Sequence, residues 1–333
     1  MDKVAIIGTG LIGASLGLAF KQAGLKHLQI VGMDLERRNA GKAHKMGALD
    51  KVVSNLPEAV SEASMVIIAT PVQTIKDIFE IIASRLEDGC LVTDTGGTKV
   101  QVLEWANQFL SKRVDFVGGH PMAGKETPGP DQADASIFQR RPYCIVPRPG
   151  TSKAGVENIV NLVTAIGSRP YFIDAGEHDS FIAAVSHLPF ILSAALIGCT
   201  AKSPQWGDIN QLASTGYRDV SRLASGDSIM HRDVCATNHD SIIYWVDELI
   251  IELERIKGIM RKENNSQELL DVFENAFASR ELWLAGGASA WALEEQKRPK
   301  VPSFTSNATS LLIGGRLTER LFGNDDDDKK KKR

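Results

Sequence analysis

"KVAIIGTGLIGASL", Lys3 to Leu16, decides how the whole chain is read. A short apolar run rich in β-branched residues meets Gly8, Gly10 and Gly13, and an apolar helical pattern follows at once. GxGxxG spacing carries little information alone; between a strand and a helix it carries a mechanism. Gly8 permits a tight turn, Gly10 lets the backbone approach a pyrophosphate, and Gly13 lets helix and strand pack closely. Leu11 and Ile12 then form a helix N-terminus, which favours anionic phosphates. The next apolar run, "LQIVGMD", ends at Asp34, about twenty residues after the turn, where a carboxylate accepts from a ribose 2′-OH and repels a 2′-phosphate. This favours NAD over NADP, although Arg37 and Arg38 follow closely and could pair with a phosphate.

Working outward, apolar runs alternate with amphipathic stretches through the first half of the chain. "SMVIIATP", "GCLVTDTG", "VDFVGG", "YCIVP" and "RPYFID" read as further strands, and "TIKDIFEIIASRL" and "TSKAGVENIVNLVTAIG" as helices. That alternation predicts βαβ units and a parallel sheet. Right-handed crossovers gather the carboxyl ends of the strands on one edge, where ligands bind. Thr70 and Pro71 in "IIATPV", and Thr95, Gly96, Gly97 and Thr98 in "TDTGGTK", fall on that edge. The expected fold class is α/β: a Rossmann-like parallel-sheet dinucleotide-binding domain over residues 1–175, followed by an all-α helical domain over 176–322.

In the second half strand-like runs vanish. Ile242, Val246, Leu249, Leu253, Ile256 and Met260 alternate steps of four and three, the seam of a long packed helix. Another helix is expected from Ser266 to about Leu284. Such seams fit a homodimer interface or packing within one bundle. "FIAAVSHLPFILSAALIGCTA", Phe181 to Ala201, is uncharged and long enough to span a bilayer, but Ser186, His187 and Pro189 interrupt it, and it reads as a buried core helix. "AGGASA" and "KRPKVPS" break the pattern into an irregular arm. The tail, residues 323–333, is a charge block expected to be disordered; Asp325 to Lys329 also spell a common cleavage tag.

Composition narrows the function classes. The chain is 43% hydrophobic and 24% charged with a net charge of -3, values of an ordinary globular protein with no basic field for nucleic acid. The N-terminus has no signal-peptide layout. Cys90, Cys144, Cys199 and Cys235 are widely spaced in or beside apolar runs and read as buried reduced thiols, which fits a cytoplasmic home. No metal site and no membrane association are expected.

A nicotinamide enzyme that oxidises an alcohol needs a base for the hydroxyl proton, and histidine suits it. Of seven histidines, His120 in "FVGGHPMAGKE" and His187 in "VSHLP" stand in tight settings; His178, His231 and His239 begin or flank helices. From His120 alone, a base and a turn histidine are equally good readings. "GYRDVSRLA" carries Arg218, Asp219 and Arg222, either a carboxylate clamp or a surface ion-pair helix.

Taken in order, "GTGLIGASL", "ATPV", "GGHPMAGKE", "SHLP", "GYRDVSRLAS" and "HRDVCATN" resemble the prephenate/arogenate dehydrogenase family of tyrosine biosynthesis, from Lys3 to about Ile259. The resemblance implies NAD-dependent oxidative decarboxylation of a cyclohexadiene, prephenate to 4-hydroxyphenylpyruvate. It implies that His120 takes the ring hydroxyl proton, Arg222 grips a substrate carboxylate, Asp219 holds Arg222, and Arg218 is a further basic site residue. Glu126 becomes a gate-like acidic position, and Ser186 and His187 face the substrate. Departures stand beside the likeness. Many relatives have serine at Gly97, a role left here to Thr98 or Thr95; a second histidine often occupies the position of Phe190; tryptophan is common at His231. Alternatives are an arogenate dehydrogenase giving tyrosine, a β-hydroxyacid-type dehydrogenase, and a non-catalytic NAD sensor.

Overall fold

The computed structural model describes residues 2–125 and 127–297, with side chains as far as Ala285. Glu126, the later part of the arm and the charged tail lie outside the described residues. A sheet of eight strands has the order β3-β2-β1-β4-β5-β6-β7-β8. The strands are β1 (Asp2–Ile7), β2 (Leu28–Met33), β3 (Lys51–Val52), β4 (Ala63–Ile68), β5 (Leu91–Asp94), β6 (Asp115–Pro121), β7 (Pro142–Pro147) and β8 (Arg169–Phe172). All the short apolar runs read above as strands become strands. β3, with two exposed residues, had no such run to signal it.

The sheet is not wholly parallel: β7 runs antiparallel to β6, with His120 opposite Cys144. A parallel return needs a crossover of a dozen or more residues, usually a helix. Among its described residues, the segment from Met122 to Arg141 contains only the short 3₁₀ turns Pro130–Gln132 and Ala135–Phe138. The helices in order are α1 (Leu11–Gln22), α2 (Arg37–Lys45), α3 (Leu56–Val60), α4 (Thr74–Ile82), α5 (Val100–Phe109), α6 (Lys153–Ala165), α7 (Ala175–Ile182), α8 (Leu188–Thr200), α9 (Trp206–Ile209), α10 (Thr215–Ser221), α11 (Ser228–Thr237), α12 (His239–Met260) and α13 (Ser266–Lys297).

One core cluster joins β1, β4, β5 and β6 to α4 and α5 through Ile7, Ile68, Val92, Phe79, Val102 and Phe116. Phe79 meets Phe116 edge-on, with ring centroids 5.5 Å apart. Arg148 closes the far end of α5. Its Nη1 donates to the carbonyls of Ala106 (3.1 Å) and Leu110 (3.2 Å), and its Nη2 to those of Ser111 and Val114. A guanidinium there satisfies orphan carbonyls and complements the helix dipole. Arg148→Met should lower stability by about 3 kcal/mol, because buried carbonyls lose charged donors; the urea midpoint reads this directly.

The compact units divide between Ile242 and Ile243, so α7 to α11 pack into the same unit as the sheet. The helical run Ala175–Thr200 is long and apolar enough to cross a membrane by length and composition, but only 28% of its most apolar window is buried. The expected buried core helix is therefore corrected: it is covered on one side only. Asp179, Ile182, Ala183, His187, Phe190 and Ser193 are buried, while Phe181 is 54% and Val185 72% exposed. The polar residues turn inward because they have partners there.

In the second unit, the seam of α12 is only partly covered by its own chain. Val246, Leu249 and Ile256 are half-buried, whereas Leu253 and Met260 are exposed. α13 starts at Ser266 as expected but continues through "AGGASA" to Lys297. Two glycines cost a helix about 1 kcal/mol each, and the flanking Ala, Leu and Glu residues outweigh that. Cys90 and Cys144 are buried free thiols; Cys199 is exposed and Cys235 half-buried, which corrects the uniform expectation.

Candidate active site

Strand order reverses at β1 and β4, so the crevice that binds ligands in such sheets opens beyond their carboxyl ends. Gly8, at φ +86°, turns there, and a Cβ on it would lie 2.4 Å from the Ala69 carbonyl oxygen. A Cβ on Gly13 would lie 1.9 Å from the carbonyl oxygen of Gly8. Gly10 is different: a Cβ there would meet nothing within 4 Å. Gly10 is also the N-cap of α1 and offers no side chain to its N–H groups. The first turn, Leu11 and Ile12, thus faces open space with uncapped donors, which fits a pyrophosphate.

Asp34 closes the adjoining wall. Its Oδ2 accepts from the Thr9 N–H (2.7 Å) and hydroxyl (3.0 Å), and its Oδ1 from the Glu36 N–H (2.9 Å). A carboxylate has about four acceptor positions, so Oδ1 keeps capacity for a ribose hydroxyl. Thr70 and Pro71 follow β4, and Thr74 Oγ1 lies 2.8 Å from Thr70 Oγ1. Residues of the dinucleotide cradle therefore fit NAD.

The next two strands carry the chemistry. β5 ends at Asp94, which is fully buried with Lys99; Lys99 Nζ donates to Asp94 Oδ2. Asp94 also accepts from the N–H groups of Gly96 (2.8 Å) and Gly119 (3.2 Å). One carboxylate thus ties the "TDTGGTK" turn to the strand bearing His120. The ring of His120, at the end of β6, places Nδ1 2.9 Å from Nε2 of His178. His178 in turn places Nδ1 2.7 Å from Asp179 Oδ1. Asp179 accepts from the Lys99 N–H (2.7 Å) and the Val100 N–H (2.9 Å), and so caps α5 from outside that helix.

Those contacts fix where the hydrogens sit. Asp179, facing two backbone N–H groups, is an acceptor, so His178 Nδ1 must donate to it. A neutral His178 then offers a lone pair at Nε2, His120 Nδ1 must donate, and His120 Nε2 carries the free lone pair. Both rings are held neutral. Burial pushes the His120 pKa well below the usual histidine value, helped by His178, Lys99 and His187. Burial also lowers that of His178, outweighing the pull of Asp179. The result is a histidine poised to accept one proton at one nitrogen.

His187, 3% exposed, sits in the π-helical turn Ala183–His187 that leads into α8. Its Nδ1 is 3.3 Å from Asn238 Nδ2, which donates to the Asp179 carbonyl at 2.7 Å. Burial lowers its pKa to about 4 from 6.5. Below pH 6.5 the unfolded chain takes up this proton before the folded one. Stability should therefore fall as pH drops from 6.5 toward 4, by about 3 kcal/mol from this group. Denaturant midpoints across that window, with His187→Gln as control, measure the loss.

The remaining expected residues are placed less tightly. Thr98 is fully buried with Oγ1 2.9 Å from that of Thr237. Thr237 donates to the Asp233 carbonyl, so the Thr98 hydroxyl is spent on α11 rather than offered to His120. Thr95 is half-exposed at the same turn. A Cβ at Gly97 would meet only Val234 Cγ2, at 3.6 Å, so nothing steric excludes a serine there. Ser186, Arg218, Asp219 and Arg222 are exposed. The segment bearing the last three is held to α8 by Ser193 Oγ, which donates to the Val220 carbonyl at 2.5 Å, and by Thr200 and Tyr217, whose hydroxyls are 2.7 Å apart.

Sequence reasoning missed His178, Asp179 and Asn238, having read His178 only as a helix-start residue. A β-hydroxyacid-type enzyme usually relies on a lysine or acid of its helical domain, and Lys99 and Lys125, the lysines near the motifs, do not sit there. Locked on Asp94 and fully buried, Lys99 cannot serve a β-hydroxyacid-type mechanism, and Lys125 Nζ donates to the Gln132 carbonyl at 2.8 Å.

A dinucleotide cradle next to a neutral histidine relay, half-buried at His120 and fully buried at His178, defines a nicotinamide-dependent dehydrogenase with a helical second region. The family model "Prephenate dehydrogenase, nucleotide-binding domain" matches residues 16–172, and "Prephenate dehydrogenase, dimerization domain" matches 174–275. A prephenate dehydrogenase of Bacillus subtilis is 34% identical over 326 residues, covering 95% of this chain and 86% of that protein. Among solved structures, the arogenate dehydrogenase of Synechocystis is 26% identical with a TM-score of 0.70, covering 84% of this chain and 99% of its own. The prephenate dehydrogenase of A. aeolicus, solved with hydroxyphenyl propionate and NAD+, shares the fold with a TM-score of 0.78 at 24% identity, covering 84% of this chain and 98% of its own. The chain belongs to the prephenate dehydrogenase family.

Proposed function

We propose that this chain catalyses the NAD-dependent oxidative decarboxylation of prephenate to 4-hydroxyphenylpyruvate, in tyrosine biosynthesis and in the cytoplasm, with His120 as its base. The observation that carries the assignment of the base is the relay from His120 through His178 to Asp179, which leaves Nε2 of His120 as the acceptor. NAD, when bound by Gly8, Gly10, Leu11, Ile12, Gly13, Asp34, Thr70, Pro71, Thr95 and Gly96, supplies the hydride acceptor.

As hydride leaves the carbinol carbon, the ring hydroxyl acidifies. His120 Nε2 takes up its proton, and Nδ1–H tightens on His178 while Asp179 balances the growing positive charge. Loss of the ring carboxylate as CO₂ aromatises the ring, and His120 returns the proton to the phenolic oxygen. Arg222 grips a carboxylate of the substrate, as a planar guanidinium does bidentately. Arg218 and Asp219 flank it, and Ser186, His187 and Glu126 complete the substrate side. His178 and Asp179 are positioning residues, because they act through His120. A non-catalytic sensor has no use for such a relay.

On this reading the chain also forms a homodimer through its helical region. Support comes from uncovered apolar side chains: Phe181 and Val185 before α8, and Ile250, Ile251, Phe273 and Phe277 on α12 and α13. The test of function is direct. Purified protein with prephenate and NAD should produce NADH and 4-hydroxyphenylpyruvate in equal amounts; no NADH, with NAD bound, would sink the assignment.

A further inference from the structure

The chemistry proposed for the site leaves one buried ion pair without a task. Lys99 and Asp94 are both 0% exposed and pair with each other. Taking two charges out of water is costly, and apolar side chains of similar volume often serve stability as well. The fold also clears space for this pair. A Cβ on Gly118 would lie 3.1 Å from Cδ of Lys99. A Cβ on Gly119 would lie 2.5 Å from the Asp94 carbonyl oxygen and 2.8 Å from the Tyr143 hydroxyl. The two glycines before His120 thus mark the room that Lys99, Asp94 and Tyr143 take up.

Lys99 contacts the histidine relay at both ends. Its N–H donates to Asp179 Oδ1 at 2.7 Å. Its ammonium donates to Asp94 Oδ2, and Asp94 Oδ1 accepts at 3.2 Å from the N–H of Gly119, the neighbour of His120. Main chain and side chain of one residue therefore hold Asp179 and the end of β6 in register.

Among the described residues, the titratable groups packed about His120 come from four elements. They are His178 and Asp179 of α7, Asp94 and Lys99 of the turn between β5 and α5, His187 of the π-helical turn, and Tyr143 and Cys144 of β7. Burial keeps Tyr143 protonated and pushes the Cys144 thiol up to about 11. Lowered pKa values keep His178 and His187 neutral at pH 7. The fixed charges are then Lys99, Asp94 and Asp179. Withdrawal from water is the first cause of the lowered His120 pKa, and His178, Lys99 and His187 add to it.

We propose that Lys99 is a positioning residue for the base: pinned by Asp94, it locks the end of β6 to the relay and sets a permanent positive charge beside His120. Such a charge keeps the ring free of a proton until the substrate hydroxyl acidifies, and favours the proton's return to the phenolic oxygen. The inference rests on the reading of His120 as the base.

The test follows kcat/KM for prephenate against pH in wild type, Lys99→Met and Lys99→Gln, as full chains. Met keeps the stem beside Gly118 and removes the charge. Gln also removes the charge but can still donate to Asp94. Without the cation His120 binds its proton more tightly, whether Asp94 stays ionised or becomes protonated. The acid limb should therefore move up by about 1 pH unit in both variants. On the plateau, Met should lose about 10-fold in kcat through a loosened β6, and Gln less. An acid limb that stays in place while kcat falls would make Lys99 purely structural and overturn the proposal. NMR titration of the His120 ring in wild type and Lys99→Met reads the same shift without turnover: a rise supports the proposal and an unmoved ring overturns it. A wild type inactive on prephenate would overturn the prephenate reading instead, leaving that titration to decide on Lys99. If neither variant folds, nitrogen NMR of lysine-labelled wild type at pH 7 decides. A solvent-shielded ammonium supports the proposal, and a neutral amine overturns it.

Discussion

His120→Asn should lower kcat for prephenate oxidation by about 10³-fold, the usual contribution of a positioned general base. The asparagine amide can still donate to Nε2 of His178, so β6 and the relay keep their places. NAD affinity, measured by calorimetry, should change by less than about 3-fold, since no transition-state interaction with the base is present in the binary complex. A parallel collapse of NAD binding would show that His120 is a structural residue at the cofactor edge. In the wild-type enzyme the base must be neutral to act. Because the His120 pKa is lowered well below 6.5, kcat/KM should stay level as pH falls through 6.5 and turn down only at more acidic values. A downturn already complete at pH 6.5 would contradict the neutral ring.

The second large effect belongs to a residue that never meets the substrate. Asp179→Asn replaces an acceptor-only carboxylate by an amide with one acceptor oxygen. Oδ1 of Asp179 faces both His178 and the Lys99 N–H, and Oδ2 faces the Val100 N–H. The amide therefore keeps its oxygen toward His178 and Lys99 and turns its nitrogen to the Val100 N–H. Both tautomers hold, but the negative charge that balances a protonated His120 is lost. A kcat loss of about 10² is expected, with the KM for prephenate nearly unchanged. Weakening the cap of α5 should separately cost about 1 kcal/mol of stability. Asp179→Ala takes away acceptor and cap together. A purely structural role predicts that Asn, which keeps the contacts to His178 and Lys99, retains most of kcat. The relay predicts that Asn already loses most of it, with Ala the less stable protein.

Much of the scaffold was legible because its signals are local. "KVAIIGTGLIGASL" needs glycine at positions 8 and 13, since a Cβ at either would overlap backbone. Strands β1, β2 and β4 to β8 are short apolar runs between turn residues. The antiparallel return of β7 was not legible, because nothing local distinguishes a strand reached by a crossover from one reached by an irregular loop. The apolar run around Phe181 to Ala201 was misjudged for a related reason. Composition reports how apolar a helix is, not which side its own chain covers, and here the covered side sets Asp179, His187 and Ser193 beside Ile182, Ala183 and Phe190.

The site divides in the same way. The sequence by itself determined the glycine turn, Asp34 and the setting of His120 between glycines and Pro121, because each is dictated by backbone geometry within a few residues. It could not choose the partner of His120. The tripeptide His-Asp-Ser occurs twice, at His178–Ser180 and at His239–Ser241. At the first, the histidine side chain is 0% exposed and its aspartate caps α5. At the second, histidine and aspartate pair at 3.0 Å but are 61% and 92% exposed. Same residues, same spacing: only the packing of α7 against the N-terminus of α5 removes one pair from water, and removal from water is what keeps a histidine neutral and gives its hydrogen bonds a direction.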